Sequence, residues 1–214
     1  MRISRLSVNQ KQSNKIDLFV DEEFAGVLSQ ETVVKYALYK DKPITEQELE
    51  EILKQEAVYD YQVKVLELIS KRPRSENEVR LYLEQKFAGA KKRRSYLTEE
   101  IIETVIVELK SKNYLNDAEF ALWWIDNRNQ FRGRSRAELR QELYKKGIEK
   151  EIIENSLLHQ KVNEHEIIKE LLNKKLKSLA GKGLSPKLQQ QKAIAFLLRK
   201  GFNWDEIRKY LNAD

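Results

Sequence analysis

Leu143-Tyr144-Lys145-Lys146-Gly147-Ile148 and Leu197-Leu198-Arg199-Lys200-Gly201-Phe202 are two copies of one pattern, and each glycine is followed six residues later by an isoleucine, Ile153 or Ile207. A glycine there permits the left-handed backbone that ends a helix and reverses the chain, so that Ile148 or Phe202 packs back on the helix just left. The two segments read as the same helix-turn-helix. A third copy starts at Leu83-x-x-Lys86-Phe87, with an insertion in its turn, roughly residues 88–97, before a further helix at Thr98. With the helix upstream of each pair, this gives three repeats of three helices, about 58–113, 114–160 and 161–214. Repeats of this size bury little surface alone, so neighbours are expected to stack into an elongated array.

Outward from these turns, the helix starts share one chemical device. A capping residue followed three positions later by Glu recurs at Thr45/Glu48, Ser75/Glu78, Asn116/Glu119, Ser135/Glu138, Asn163/Glu166 and Asn203/Glu206. The first side chain accepts from an orphan amide, and the Glu reaches back or complements the positive helix end. Thr98 before Glu99-Glu100 and Ser185 before Pro186 are two further starts. Behind them, apolar residues recur every three or four positions, as in Ile101/Val105/Leu109 and Ile168/Leu172/Leu176/Leu179, which marks core faces rather than cofactor sites.

Only the first thirty residues depart from helical spacing. Arg2 to Val8, the alternation Ile16/Leu18/Val20, a turn at Asp21-Glu22-Glu23 and the run Phe24 to Leu28 predict a small meander, followed by a short helix over Glu31–Tyr39. Residues 1–57 form this N-terminal module, and 45–70 fit one helix or two. The fold class is all-α: tandem three-helix repeats with a small N-terminal β-meander and helix.

Composition narrows function mainly by exclusion. Without cysteine among its 214 residues the chain has no disulfide, no thiolate zinc site and no cysteine nucleophile, which suits a reducing, cytoplasmic setting. No apolar run is long enough to span a membrane. His159 and His165, the only histidines, form no metal-binding pattern; Gly181-Lys182-Gly183 lacks the frame of a phosphate loop and reads as a helix end. Asp117 and Glu119 are a cap pair before they are an acid-base pair. A non-enzymatic protein without cofactor or metal is expected.

Charge points to an anionic partner. The net charge of +6 divides as −3, +3, 0 and +6 over residues 1–57, 58–113, 114–160 and 161–214. Lys91-Lys92-Arg93-Arg94 falls in the turn insertion, where adjacent cations on a loop reach phosphates. Arg128, Arg132, Arg134, Arg136, Arg140, Lys145 and Lys146 form a second cluster, a local excess of +5 against Glu138 and Glu142. There Gly133 permits close approach of a ligand, and the helix opening at Ser135 adds its positive end. Lys174, Lys175, Lys177 and Lys182 make a more diffuse basic surface, suited to solubility and weak steering. Adjacent Trp123 and Trp124 divide between core and contact.

Several stretches resemble the RecX regulatory family: Arg72-x-Arg74-Ser75-Glu76-x-Glu78-Val79-Arg80-x-Tyr82-Leu83-x-x-Lys86, Tyr114-Leu115-Asn116-Asp117-x-x-Phe120-Ala121, then Arg128, Gly133, Arg136, Leu139, Leu143 and Lys146-Gly147-Ile148, with Phe19-Val20-Asp21 near the start. Asn113 stands where the family usually has glycine, and a helix can end on Asn. The resemblance covers essentially the whole chain and is loosest in the third repeat. It implies tandem three-helix repeats and a monomeric modulator, usually an inhibitor, of the RecA recombinase. Such a protein lodges in the groove of the RecA filament and binds single- and double-stranded DNA weakly and without sequence preference. The helix-turn-helix pattern leaves a second reading open, a duplex-DNA-binding protein or transcription factor.

Overall fold

The computed structural model describes residues 1–90, 98–160 and 163–211. Two compact units divide the chain: Met1–Arg72 with Val79–Leu115, and Pro73–Glu78 with Asn116–Asp214.

In the first unit, β1 (Ile3–Val8), β2 (Lys15–Val20) and β3 (Glu23–Ser29) form an antiparallel meander in sequence order. Asp21 and Glu22 both take positive φ, 47° and 67°, so a two-residue turn matches the twist of its strands and Glu23 already pairs with Val20. Helix α1 (Gln30–Lys35) is shorter than the spacing suggests. Ala37 turns left-handed at φ 46° and lets the Leu38 amide donate to Val33 O, which carries Leu38 into the core beside Leu28 and Ile44.

Residues 46–71 are one helix, α2 (Glu46–Lys71), opened by a full capping box in which Thr45 and Glu48 exchange side-chain and backbone bonds. Its first half buries Ile52 and Leu53 in the sheet's core. Its second half places Val58 and Val65 among Val79 of α3 (Glu76–Ala90) and Ile102, Val105 and Leu109 of α4 (Glu99–Ser111). Lys15 fixes α2 to the sheet: its ammonium donates to Glu56 Oε1 at 2.6 Å and also reaches Asp60, while Ser29 Oγ donates to Glu56 Oε2 at 2.9 Å. Burial alone would raise the Glu56 carboxyl, but the bonds from Lys15, Thr32 and Ser29 hold it below its ordinary value.

The second unit holds α5 (Asp117–Arg132), α6 (Arg136–Lys145) and α7 (Lys150–His159) around Phe120, Ile125, Leu139, Leu143 and Ile153. It also holds α8 (Glu164–Ala180), α9 (Pro186–Arg199) and α10 (Trp204–Leu211) around Ile168, Ala193, Leu197, Phe202 and Ile207. Both Lys-Gly corners turn as the sequence predicts. Gly147 and Gly201 sit at φ 78°, with Ile148 N donating to Leu143 O and Phe202 N to Leu197 O. Asn113, φ 57°, closes α4 the same way through Tyr114 N and Leu109 O.

Candidate interaction surface

Folding pairs the arginines of the 128–146 cluster with Glu138 and Glu142 of their own segment and with carboxylates from beyond it. Glu142 is the hub: its Oε2 accepts from Trp124 Nε1 and from Arg128 Nε, both at 2.9 Å, and its Oε1 lies 3.7 Å from Arg134 Nε. The Arg128 guanidinium stands 4.4 Å from the centre of the Trp124 ring, and Lys146 Nζ 5.0 Å from it. Trp123 and Trp124 both pack against the α5–α7 core, so the pair does not divide into a core ring and an exposed one.

Arg134 also donates to Glu138 Oε1 at 3.1 Å. Arg140 forks onto Glu154 of α7 at 2.6 and 2.9 Å, a charge-assisted pair that holds the Glu154 carboxyl below its ordinary value. Arg136 lies 4.0 Å from Glu164, and Lys146 reaches Glu78 at 2.6 Å. Five of the cluster's seven cations, Arg128, Arg134, Arg136, Arg140 and Lys146, therefore meet Glu78, Glu154 and Glu164 besides Glu138 and Glu142, and with those three carboxylates counted the excess of +5 falls to +2. Lys145 is exposed and makes no ion pair among the described residues. Arg132 ends α5, and its side chain, like all of Lys91, Lys92, Arg93 and Arg94, lies outside the described residues.

Two of the predicted helix starts do more than cap. Ser75 accepts from Glu78 N at 3.2 Å, as a cap should, but its hydroxyl also donates to Lys146 O at 2.8 Å. Ser135 repeats this with Glu138 N at 3.1 Å and Lys200 O at 2.5 Å. The next amide in each helix is satisfied by a carboxylate from the following repeat: Asp117 Oδ1 takes Glu76 N at 2.8 Å, and Glu164 Oε1 takes Arg136 N at 2.7 Å. Ser-x-x-Glu is thus a socket for a Lys-Gly corner, with Glu78 paired to Lys146 and Glu138 3.6 Å from Lys200. The glycines make the close approach possible, because a Cβ on Gly147 would lie 2.5 Å from Asn77 Cβ and one on Gly201 2.9 Å from Ala137 Cβ.

The lysines of α8 are placed differently. Lys174 and Lys175 make no ion pair among the described residues and line a cleft of about 530 Å³ with Gly133 and Asn129 at the end of α5, Ile167 and Leu171 of α8, and Phe196 and Lys200 of α9. Lys177 and Lys182 are exposed and lie away from it. His165 Nδ1 is 2.5 Å from the Tyr210 hydroxyl and His159 Nδ1 2.7 Å from Asn155 O. Among the described residues no group of three or more acidic, His or Cys side chains could hold a metal, and no helix is long and apolar enough to cross a membrane.

A small meander followed by three-helix repeats, with Ser75 and Ser135 each receiving a Lys-Gly corner, defines a tandem-repeat protein. Family models described as RecX second and third three-helix domain match residues 116–157 and 163–211. Over nearly its whole length the chain is similar to regulatory proteins named RecX. It is 26% identical to the regulatory protein RecX of Listeria monocytogenes serotype 4b (strain F2365), over 99% of this chain and 96% of that one. To that of Clostridium perfringens (strain SM101 / Type A) it is 28% identical, over 95% and 92%. A crystal structure of regulatory protein RecX superposes with a TM-score of 0.75 at 18% identity, covering 97% of this chain and 98% of the other. That of RecX from Lactobacillus salivarius gives 0.61 at 22%, covering 72% and 94%.

Proposed function

We propose that this chain regulates the RecA recombinase: it binds the RecA filament on DNA, lodges in the filament groove and blocks extension, lowering ATP hydrolysis, strand exchange and the co-protease role in the SOS response. The end-to-end match to proteins named regulatory protein RecX carries this reading. The contacts we assign to filament protein or DNA are Lys91 to Arg94 and the cluster Arg128, Arg132, Arg134, Arg136, Arg140, Lys145 and Lys146. Most arginines of α5 and α6 already hold carboxylates, so a phosphate must compete for them and DNA binding by that face is weak and salt-sensitive. A duplex-reading helix-turn-helix draws less support. The third helix of each repeat would enter the groove, yet α4 carries four Glu and one Lys, α7 two Glu and one Lys, and α10 two acids and two bases. The deciding experiment is RecA ATP hydrolysis on single-stranded DNA with stoichiometric protein added. Inhibition is expected, and an unchanged rate overturns the reading.

A further inference from the structure

We propose that the cleft between α8, α9 and the end of α5 is a docking groove for an acidic protein segment that carries an apolar side chain. One stripe of α8 builds its wall: Ile167 and Leu171 give an aliphatic floor, Lys174 and Lys175 follow one turn on, and Phe196 closes the floor from α9. The ammonium groups of Lys175 and Lys200 stand 5.1 and 5.6 Å from the centre of the Phe196 ring, so charge sits directly beside apolar surface. Among the described residues Glu170 is the one acid in the lining, against three lysines, and of these only Lys200 has a carboxylate partner, Glu138 at 3.6 Å.

A base stacks on an open aromatic face, whereas two cations already crowd the Phe196 ring, which favours a peptide over a nucleic-acid strand. The cleft volume of about 530 Å³ suits one or two large side chains rather than a folded surface. The groove selects such a segment by charge and apolar surface alone, whether or not the partner is RecA.

The test is fluorescence anisotropy of the full chain with a short labelled peptide of Asp and Glu interrupted by one Leu and one Phe. Saturable binding is expected, weakened about tenfold or more when Leu and Phe become Ser, and by as much in Lys174→Glu/Lys175→Glu. Lys177→Glu/Lys182→Glu, the same charge change away from the cleft, is expected to bind nearly as the wild type does. Circular dichroism checks that both variants fold, and the peptide arm requires no change to the protein. Absence of saturable binding, equal affinity for the all-polar peptide, equal loss in both variants, or displacement by an oligothymidylate at comparable concentration each overturns the proposal.

Discussion

The starts of α3 and α6 are held by the same set of contacts but not with the same strengths. At α3 the ion pair is close, Lys146 to Glu78 at 2.6 Å; at α6 Lys200 stands 3.6 Å from Glu138, which Arg134 also claims. The serine hydroxyl, the carboxylate on the next amide and the left-handed glycine recur in both. What recurs is directional and buried, and what varies is Coulombic and partly exposed. Ser185, at the start of α9, lacks the set altogether: Pro186 has no amide to receive a carboxylate, Leu188 stands in place of Glu, and Ser185 itself is exposed. The socket is therefore specific to two of the three repeats.

The scale for an ion pair away from water comes from the first unit. Lys15→Met leaves the Glu56 carboxylate, 4% exposed, without its cation, an expected loss of about 3–5 kcal/mol. Glu56 has a lowered folded pKa, so its contribution is complete above the unfolded value of 4.5 and is lost as pH falls through the lower folded one. Urea midpoints of wild type and variant should be furthest apart at neutral pH and converge in acid. A constant gap would mean that Lys15 acts by packing alone.

The glycines come next. Gly147→Ala places a Cβ on a left-handed residue and against Asn77, an expected loss of about 2–4 kcal/mol by thermal or urea unfolding. Gly201→Ala meets the smaller Ala137 at a longer 2.9 Å and should lose less. If Gly201→Ala proves the more damaging, close approach is not what separates the two junctions.

Third are the serines. Ser75 and Ser135 are fully buried, and Ala at either strands a lysine carbonyl and a helix amide, about 1–3 kcal/mol. Ser185→Ala removes an exposed cap only, about 0.5–1 kcal/mol. Equal losses at all three positions would reduce the socket to ordinary capping.

Much of this was legible beforehand. The Lys-Gly corners, the helix starts and the meander are written in local spacing, which a backbone obeys without help from distant residues. Asn113 too was recognisable as a helix end. The partners were not: Ser75 meets Lys146, and Arg140 meets Glu154 across a turn, at separations that carry no periodicity. A charge run counted along the chain therefore overstated the field of the α5–α6 arginines. It gave no sign that Lys174 and Lys175, on a face read as diffuse, would stand beside an apolar floor with no ion pair among the described residues. The continuity of α2 was open for a related reason, since its two halves serve different cores.

The smallest effect discriminates best between the two sockets. In a double-mutant cycle on Glu78→Gln and Lys146→Met, the coupling isolates the ion pair from the capping and packing that each side chain also supplies. The side chains are 14% and 29% exposed, so water screens them only in part, and a coupling of about 0.5–1 kcal/mol is expected. The same cycle on Glu138→Gln and Lys200→Met should give less, about 0.2 kcal/mol, because the distance is an ångström longer and Arg134 remains to neutralise Glu138. Raising the salt should shrink the first coupling and barely touch the second. Equal couplings would show that Arg134 does not compete for Glu138, and that the two junctions differ in the glycine's neighbour alone.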